Sequence, residues 1–146
     1  MTTTELARLL NLPAGRELDA AVAVRIMGFR YCKSVNETHH YESVLYEPEE
    51  AAKFLSSAVS TEPTGRPLIA DNRVPCFSID IDDAMQALDH WHGDYEIRRQ
   101  NGQFKVTLYE PSMQYDLWGR ELPLTICRVL LKGTKCRSLP KRKSRR

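Results

Sequence analysis

The sequence predicts an α+β fold in which helices cover an antiparallel sheet, and three stretches of its second half carry that prediction. The stretch 79–92 has a capping residue before it, acids in its first turn and apolar residues at helical spacing. Asn101-Gly102 sits between two alternating runs and specifies a tight hairpin. The stretch 122–132 opens on a proline and carries a second apolar stripe.

Ser78 predicts the first of these helices, because its hydroxyl can accept from the free N–H groups of a first turn. Asp80, Asp82 and Asp83 follow where the helix dipole favours negative charge. Ile81, Ala84, Met85, Leu88 and Trp91 then recur on one face. Gly93 stands where a left-handed C-terminal residue would end the run. Asn-Gly is the preferred pair for a type I′ turn, since both central residues need positive φ. With that turn, Gln100 pairs with Gln103, and Tyr95, Ile97 and Arg99 face Leu108, Val106 and Phe104. Glu96, Arg98, Lys105 and Thr107 go to the opposite side. A slip of one residue would destroy this agreement. Pro123 suits a first helical turn, where its missing N–H costs nothing. Ile126, Cys127, Leu130 and Leu131 form the stripe behind it, and Gly133 is expected to end it.

Thr4–Leu10 predicts a short helix capped by Thr4, part of a 1–14 extension broken by Pro13 and Gly15. A longer helix over Glu17–Phe29 buries Leu18, Ala21, Val22, Ile26 and Phe29. Arg30–Lys33 and Tyr41–Tyr46 predict two strands joined by the polar loop 34–40. Pro48 starts another helix with Ala51, Phe54, Leu55 and Ala58 as its apolar side. Thr61–Asn72, with Pro63, Gly65 and Pro67, predicts a loop, and Tyr115–Trp118 a further short strand.

At 146 residues the chain is long enough for one sizeable core and short for two. Its 42% hydrophobic and 27% charged residues describe a globular chain and not a disordered one. No apolar run approaches a membrane span. Charge and proline interrupt the apolar stretch near Leu9, which argues against a signal peptide. Four cysteines, Cys32, Cys76, Cys127 and Cys136, are widely spaced without a CxxC pair. They are expected as free thiols in a reducing cytoplasm.

Three segments, GRELDAAVAVRIMGFR, CFSIDIDDAMQALD and LPLTICRVLL, resemble the phage ABA sandwich domain, a family of small phage and prophage proteins. Glu17, Leu18, Asp19, Met27 and Gly28 match its first signature. Pro75, Ser78, Asp80, Ile81 and Ala84 match the second, and Ile126, Cys127 and Arg128 the third. The similarity runs from about Gly15 to Gly133, in the family's order. Phe29 replaces the usual Trp, the 33–74 segment is a long insert, and the basic tail lies outside the pattern. The resemblance implies a single layered helix–sheet–helix domain over 15–133 and a phage or prophage origin. It implies no particular activity and carries over no catalytic residue.

Candidate chemistry is sparse. Asp80, Asp82 and Asp83 are the residue type that binds a divalent metal, but an EF-hand count from Asp80 puts Met85 where glycine is required. Electrostatic support of the helix start is the simpler role. His39, His40, His90 and His92, with Cys32 and Cys76, lack the tight ligand spacing of structural zinc, so no metal is expected. A small metal-dependent enzyme using Asp80, Asp82 and the histidines remains the alternative to a non-catalytic protein. There is no GxSxG elbow, no phosphate-binding glycine loop and hence no cofactor expectation. Cys136, between Lys135 and Arg137, is the one thiol whose setting should lower its pKa.

The charge distribution points to partners. Residues 132–146 hold eight basic residues and no acid: Lys132, Lys135, Arg137, Lys141, Arg142, Lys143, Arg145 and Arg146. The remainder keeps 13 of the 21 Lys and Arg against all 19 acids, a net charge of −6. Such a like-charge block cannot collapse into a core, so 134–146 is expected as a disordered tail. It could contact nucleic-acid phosphates non-specifically, dock on an acidic protein face, or only aid solubility. No aromatic interleaves the basic residues to stack on bases. A third possibility is a surface patch or pocket for a host protein or small ligand, drawn from Tyr41, Tyr46, Tyr109, Tyr115 and Trp118. The same aromatics could instead fill the core. The expected function is therefore phage accessory binding in the host cytoplasm, without a membrane.

Overall fold

The computed structural model describes residues 2–35, 41–51, 59–60 and 74–136. Among the described residues five helices and six strands follow one another: α1 Thr3–Leu10, α2 Arg16–Arg25, β1 Arg30–Val35, β2 Tyr41–Tyr46, α3 Pro48–Ala51, β3 Val59–Ser60, α4 Ile81–Leu88, β4 Tyr95–Gln100, β5 Gln103–Tyr109, β6 Gln114–Gly119 and α5 Leu122–Cys136. The chain is α+β. Two antiparallel three-stranded sheets form, in the orders β2-β1-β3 and β4-β5-β6.

The hairpin forms in the expected register, from Tyr95 opposite Leu108 to Gln100 opposite Gln103. Asn101 and Gly102 take φ values of 54° and 74°, the left-handed pair a type I′ turn requires. β6 adds to the other edge of β5, so Tyr115–Trp118 does lie in a strand. The alternation then separates two faces. Val106 and Leu108 are fully buried on one, with Tyr115 beside them.

α5 lies on that face and contacts β5 and β6, while α1, α2 and α4 pack on α5 from its other sides. A helix in this position needs apolar residues around most of its circumference. Accordingly Ile126, Cys127, Val129, Leu130 and Leu131 are all fully buried. Gly133 does not end α5, which continues to Cys136. A β-carbon at Gly133 would lie 3.0 Å from the Trp91 ring and 3.2 Å from Leu108. The glycine is there for close packing. The start of the supposed tail, 134–136, is thus helical, whereas 137–146 falls outside the described residues.

Other boundaries shift for identifiable reasons. α1 is capped by Thr2, whose hydroxyl accepts from the Glu5 N–H at 3.1 Å, and not by Thr4. α2 ends at Arg25, short of Phe29, as the chain turns through Gly28 at φ +80°. Six consecutive residues of α2, Leu18–Ala23, are buried. α4 is shorter than 79–92: the chain first closes a turn in which the Ile79 and Asp80 N–H groups donate to the Cys76 carbonyl. Asp80, not Ser78, is its cap, and Ile81 is 41% exposed instead of facing the core. Nor is Gly93 left-handed, as the carbonyl of Tyr109 fills the space a side chain there would need.

β1 and β2 pair as expected, extended to Val35. The helix predicted from Pro48 is described only to Ala51, and Phe54, Leu55 and Ala58 lie outside the described residues, as does the 61–72 loop. β3, which pairs with β1 through Val59 and Ser60, had no signal in the sequence pattern.

Candidate functional site

Two places in the fold concentrate polar chemistry. The first is buried. Asp19, on α2, is fully buried, and its Oδ1 accepts from both the backbone N–H and the hydroxyl of Ser78, at 2.8 and 2.7 Å. Its Oδ2 accepts from Arg16 at 2.9 Å. The Gly15 N–H donates to the Ser78 hydroxyl at 2.9 Å. Arg16 also donates to the Val74 carbonyl at 2.7 Å, which ties α2 to the segment before α4. Cys127 of α5 completes the neighbourhood: burial foremost, then the charge of Asp19, pushes its thiol far above the ordinary range, against an opposing pull from Arg128. Arg128 donates to the Leu12 carbonyl at 2.8 Å.

These residues, Asp19, Ser78, Cys127 and Arg128, come from all three signature segments. The fold puts Ser78 on the Asp19 carboxylate and Cys127 within reach of the charges of both Asp19 and Arg128. Yet Ser78 is 2% exposed and its hydroxyl is committed to Asp19 and Gly15, so this cluster fastens helices and offers no surface to a substrate.

The second place is open. On the other face of β4-β5-β6, Arg98, Lys105 and Trp118 form one cross-strand row, and Glu96, Thr107 and Asp116 the next. Trp118 is 48% exposed, and Lys105 lies over its ring, 5.7 Å from the centroid. Arg98 pairs with Glu96, and Lys105 stands 3.8 Å from Asp116. Gln100, Asn101, Gln103 and Trp118 line a hollow of about 440 Å³ at the turn end of this face. Alternation assigns Glu96, Arg98, Lys105 and Thr107 to this side; among the described residues the helix packed on the sheet, α5, lies on the opposite side, and only Thr107, in the middle of β5, is buried on this one.

The other expected site residues disperse. Asp80 accepts from the N–H groups of Asp82 and Asp83 at 2.9 and 3.1 Å, and Asp83 accepts from the Cys76 N–H at 2.9 Å. The aspartates thus serve the helix start. His90 contacts the Gln86 carbonyl and His92 lies 3.8 Å from Glu110. Among the described residues, no group of three or more His, Cys, Asp or Glu is arranged to hold a metal ion. His39 and His40 are outside that set.

Of the aromatics, Tyr115 faces the core, edge-on to Trp91 at 6.2 Å between centroids. Tyr109 is half-buried at the far end of the open face, opposite Gln114. Tyr41 and Tyr46 are the first and last residues of β2, and their side chains are not among those described. The same holds for Lys135 and Cys136, while Arg137, Lys141, Arg142, Lys143, Arg145 and Arg146 lie beyond the described chain. Cys76 and Cys127 are free thiols. No described helix is long and apolar enough to cross a membrane.

No family model matches the chain, and no curated protein does. Among solved structures it is similar to a phage protein from Bacillus cereus ATCC 14579, at 14% identity and a TM-score of 0.50, over 83% of this chain and 92% of that one. The two share a fold.

Proposed function

We propose that the chain is a phage or prophage accessory protein that acts by binding and not by catalysis, with the open face of β4-β5-β6 as its recognition surface. The carrying observation is that face: a half-exposed Trp118 in one row with Lys105 and Arg98, on a sheet whose β5 and β6 strands carry α5 on the other side. Tryptophan and arginine, here two strands apart in the same row, are residue types enriched at interface anchors. Phage origin is supported by the shared fold with the Bacillus cereus phage protein and by the three ABA-sandwich-like segments. The host cytoplasm is the corresponding compartment.

The partner is a host protein or small ligand at this face. The basic residues from Lys135 onward add a non-specific, salt-dependent attachment to polyanions such as nucleic acid. The metal-dependent alternative is the weaker reading, because Asp80 and Asp83 are occupied by backbone N–H groups.

The test is retention of host-lysate components by the immobilised chain, compared between wild type and Trp118→Ala. A retained species that disappears with Trp118→Ala, while the melting temperature stays put, is the expected result. Identical retention by both proteins would overturn the surface assignment. Binding of labelled DNA by the full chain, weakened by salt and absent from a chain ending at Cys136, is the expected behaviour of the tail; unchanged binding by the shortened chain removes that role.

A further inference from the structure

We propose that β4 pairs antiparallel with β4 of a second copy, about a two-fold axis at Ile97, joining two three-stranded sheets into one. β4 is an outer strand, since the described sheet runs β4-β5-β6. The Tyr109 N–H donates to the Asp94 carbonyl at 2.9 Å, which sets the alternation along the strand. Residues 94, 96, 98 and 100 therefore bond inward to β5, and the N–H and C=O groups of Tyr95, Ile97 and Arg99 point out of the edge. Among the described residues no hydrogen bond reaches those outward groups.

The opposite edge is treated differently. By the same alternation the Asp116 carbonyl of β6 points outward, and Lys132 of α5 donates to it at 3.2 Å. A lysine laid along an edge hinders pairing with another chain. Among the described residues β4 has no such guard. α5 sits over β5 and β6, which leaves the apolar side of β4 thinly covered, with Tyr95 39% exposed.

Charge selects both the partner and the register. Edge charges that only repelled a neighbour would share one sign, whereas β4 carries Glu96, Arg98 and Arg99. A two-fold axis normal to the sheet keeps like faces together, so odd positions meet odd ones and even meet even. Centred on Ile97, the pairing sets Glu96 of each copy opposite Arg98 of the other on the open face. On the helix side Ile97 meets its own copy and Tyr95 meets Arg99. The hydrogen-bonded pairs then fall on Tyr95, Ile97 and Arg99, whose backbone groups are the outward ones, and Glu96 with Arg98 forms the closer, non-bonded pair. Centring on any other residue from Tyr95 to Arg99 brings like charges face to face. Glu96 and Arg98 already pair within one chain, and the dimer exchanges that surface contact for two across the edge. Arg99, which lies over Phe104, gains the Tyr95 ring of the second copy. The row Trp118, Lys105, Arg98 of one copy then runs on into Glu96, Thr107, Asp116 of the other, basic half to acidic half.

The experiment is sedimentation velocity on the full chain from micromolar to millimolar concentration, together with amide hydrogen exchange. The expected result is a concentration-dependent dimer in which the Tyr95, Ile97 and Arg99 amides become protected only as it forms. The Glu96 and Arg98 amides, bonded to β5, should be protected throughout. Glu96→Arg and Arg98→Glu should each weaken association by about tenfold or more with the hairpin signals intact. Mixed together, the two variants should dimerise again, because each supplies the charge the other lacks. Trp118→Ala should leave the dimer unchanged, which separates this edge from the recognition face. A wild-type chain that stays monomeric overturns the proposal, as does a dimer indifferent to both reversals or a mixture no tighter than its components. Protection of the outward β4 amides by a host-lysate component, in a chain that does not self-associate, overturns it too, because the edge then takes a different strand. The exchange pattern of the wild-type chain decides the matter without any variant: a dimer that leaves those three amides unprotected is built elsewhere.

Discussion

Asp19 and Ser78, separated by 59 positions, share a single carboxylate oxygen: Oδ1 of Asp19 receives both the backbone N–H and the hydroxyl of Ser78. Both residues are buried, so each hydrogen bond replaces water that cannot return. Ser78→Ala removes the hydroxyl that Gly15 also uses, and should cost about 1–3 kcal/mol. Asp19→Ala should cost more, as it strips acceptors from the Ser78 N–H and from Arg16 together. Urea unfolding with unchanged slope is the measurement. Equal or negligible losses for the two variants would show that the junction does not hold α2 to the segment before α4.

The capping role of Asp80 separates from metal binding by chemistry. Asp80→Ala should lose about 0.5–2 kcal/mol, whereas Asp80→Asn and Asp80→Ser, which still accept from the Asp82 and Asp83 N–H groups, should stay close to wild type. A chelator should leave the melting temperature of the wild-type chain where it was. A large chelator-dependent drop would establish a resident metal and revive the metal-dependent reading.

What the sequence made legible was whatever local chemistry decides. The 94–109 hairpin was readable residue by residue, because an Asn-Gly turn and two alternating strands all demand one register. The cap of α4 was misplaced by two residues because Ser78 and Asp80 are both good caps, and nothing nearby reveals that Asp19 has claimed Ser78. Gly133 read as a terminator for the same reason: its role is set by Trp91 and Leu108, which approach through tertiary packing. The open sheet face shows the limit from the functional side. Alternation separates its charged residues from the apolar side that a helix must cover, but whether Trp118 joins them or the core depends on how β6 pairs with β5, which nothing local decides.

The Cys127 thiol supplies a pH prediction. Burial raises its pKa above the ordinary value of 9.0, so the folded chain holds a proton that the unfolded chain releases once pH passes that value. Stability is therefore fully present below pH 9.0 and declines as pH climbs towards the folded thiol's own, higher pKa. The slope from this one group is about 1.4 kcal/mol per pH unit. Comparing alkaline unfolding of wild type with Cys127→Ala isolates it from lysine and tyrosine titrations, and the variant should show the shallower decline. Parallel curves would mean that Cys127 ionises alike in both states. Native Cys127 should also resist thiol reagents that modify exposed Cys76 at once.

Gly133→Ala is the sharpest test of the packing, since helix propensity and contact predict opposite signs. In an exposed helix interior the change would stabilise by about 1 kcal/mol. Here the new methyl would meet Trp91 at 3.0 and 3.1 Å and Leu108 at 3.2 Å. Trp91 cannot readily withdraw: its indole N–H donates to the Tyr109 carbonyl at 3.2 Å, and Tyr115 stands against its edge. Overpacking a site with so little room costs about 1–3 kcal/mol, enough to reverse the propensity gain. The expected outcome is a lower denaturation midpoint together with a changed near-ultraviolet circular dichroism signal from Trp91. A stabilised variant with an unaltered signal would show that the α5–Trp91 contact is looser than these distances require.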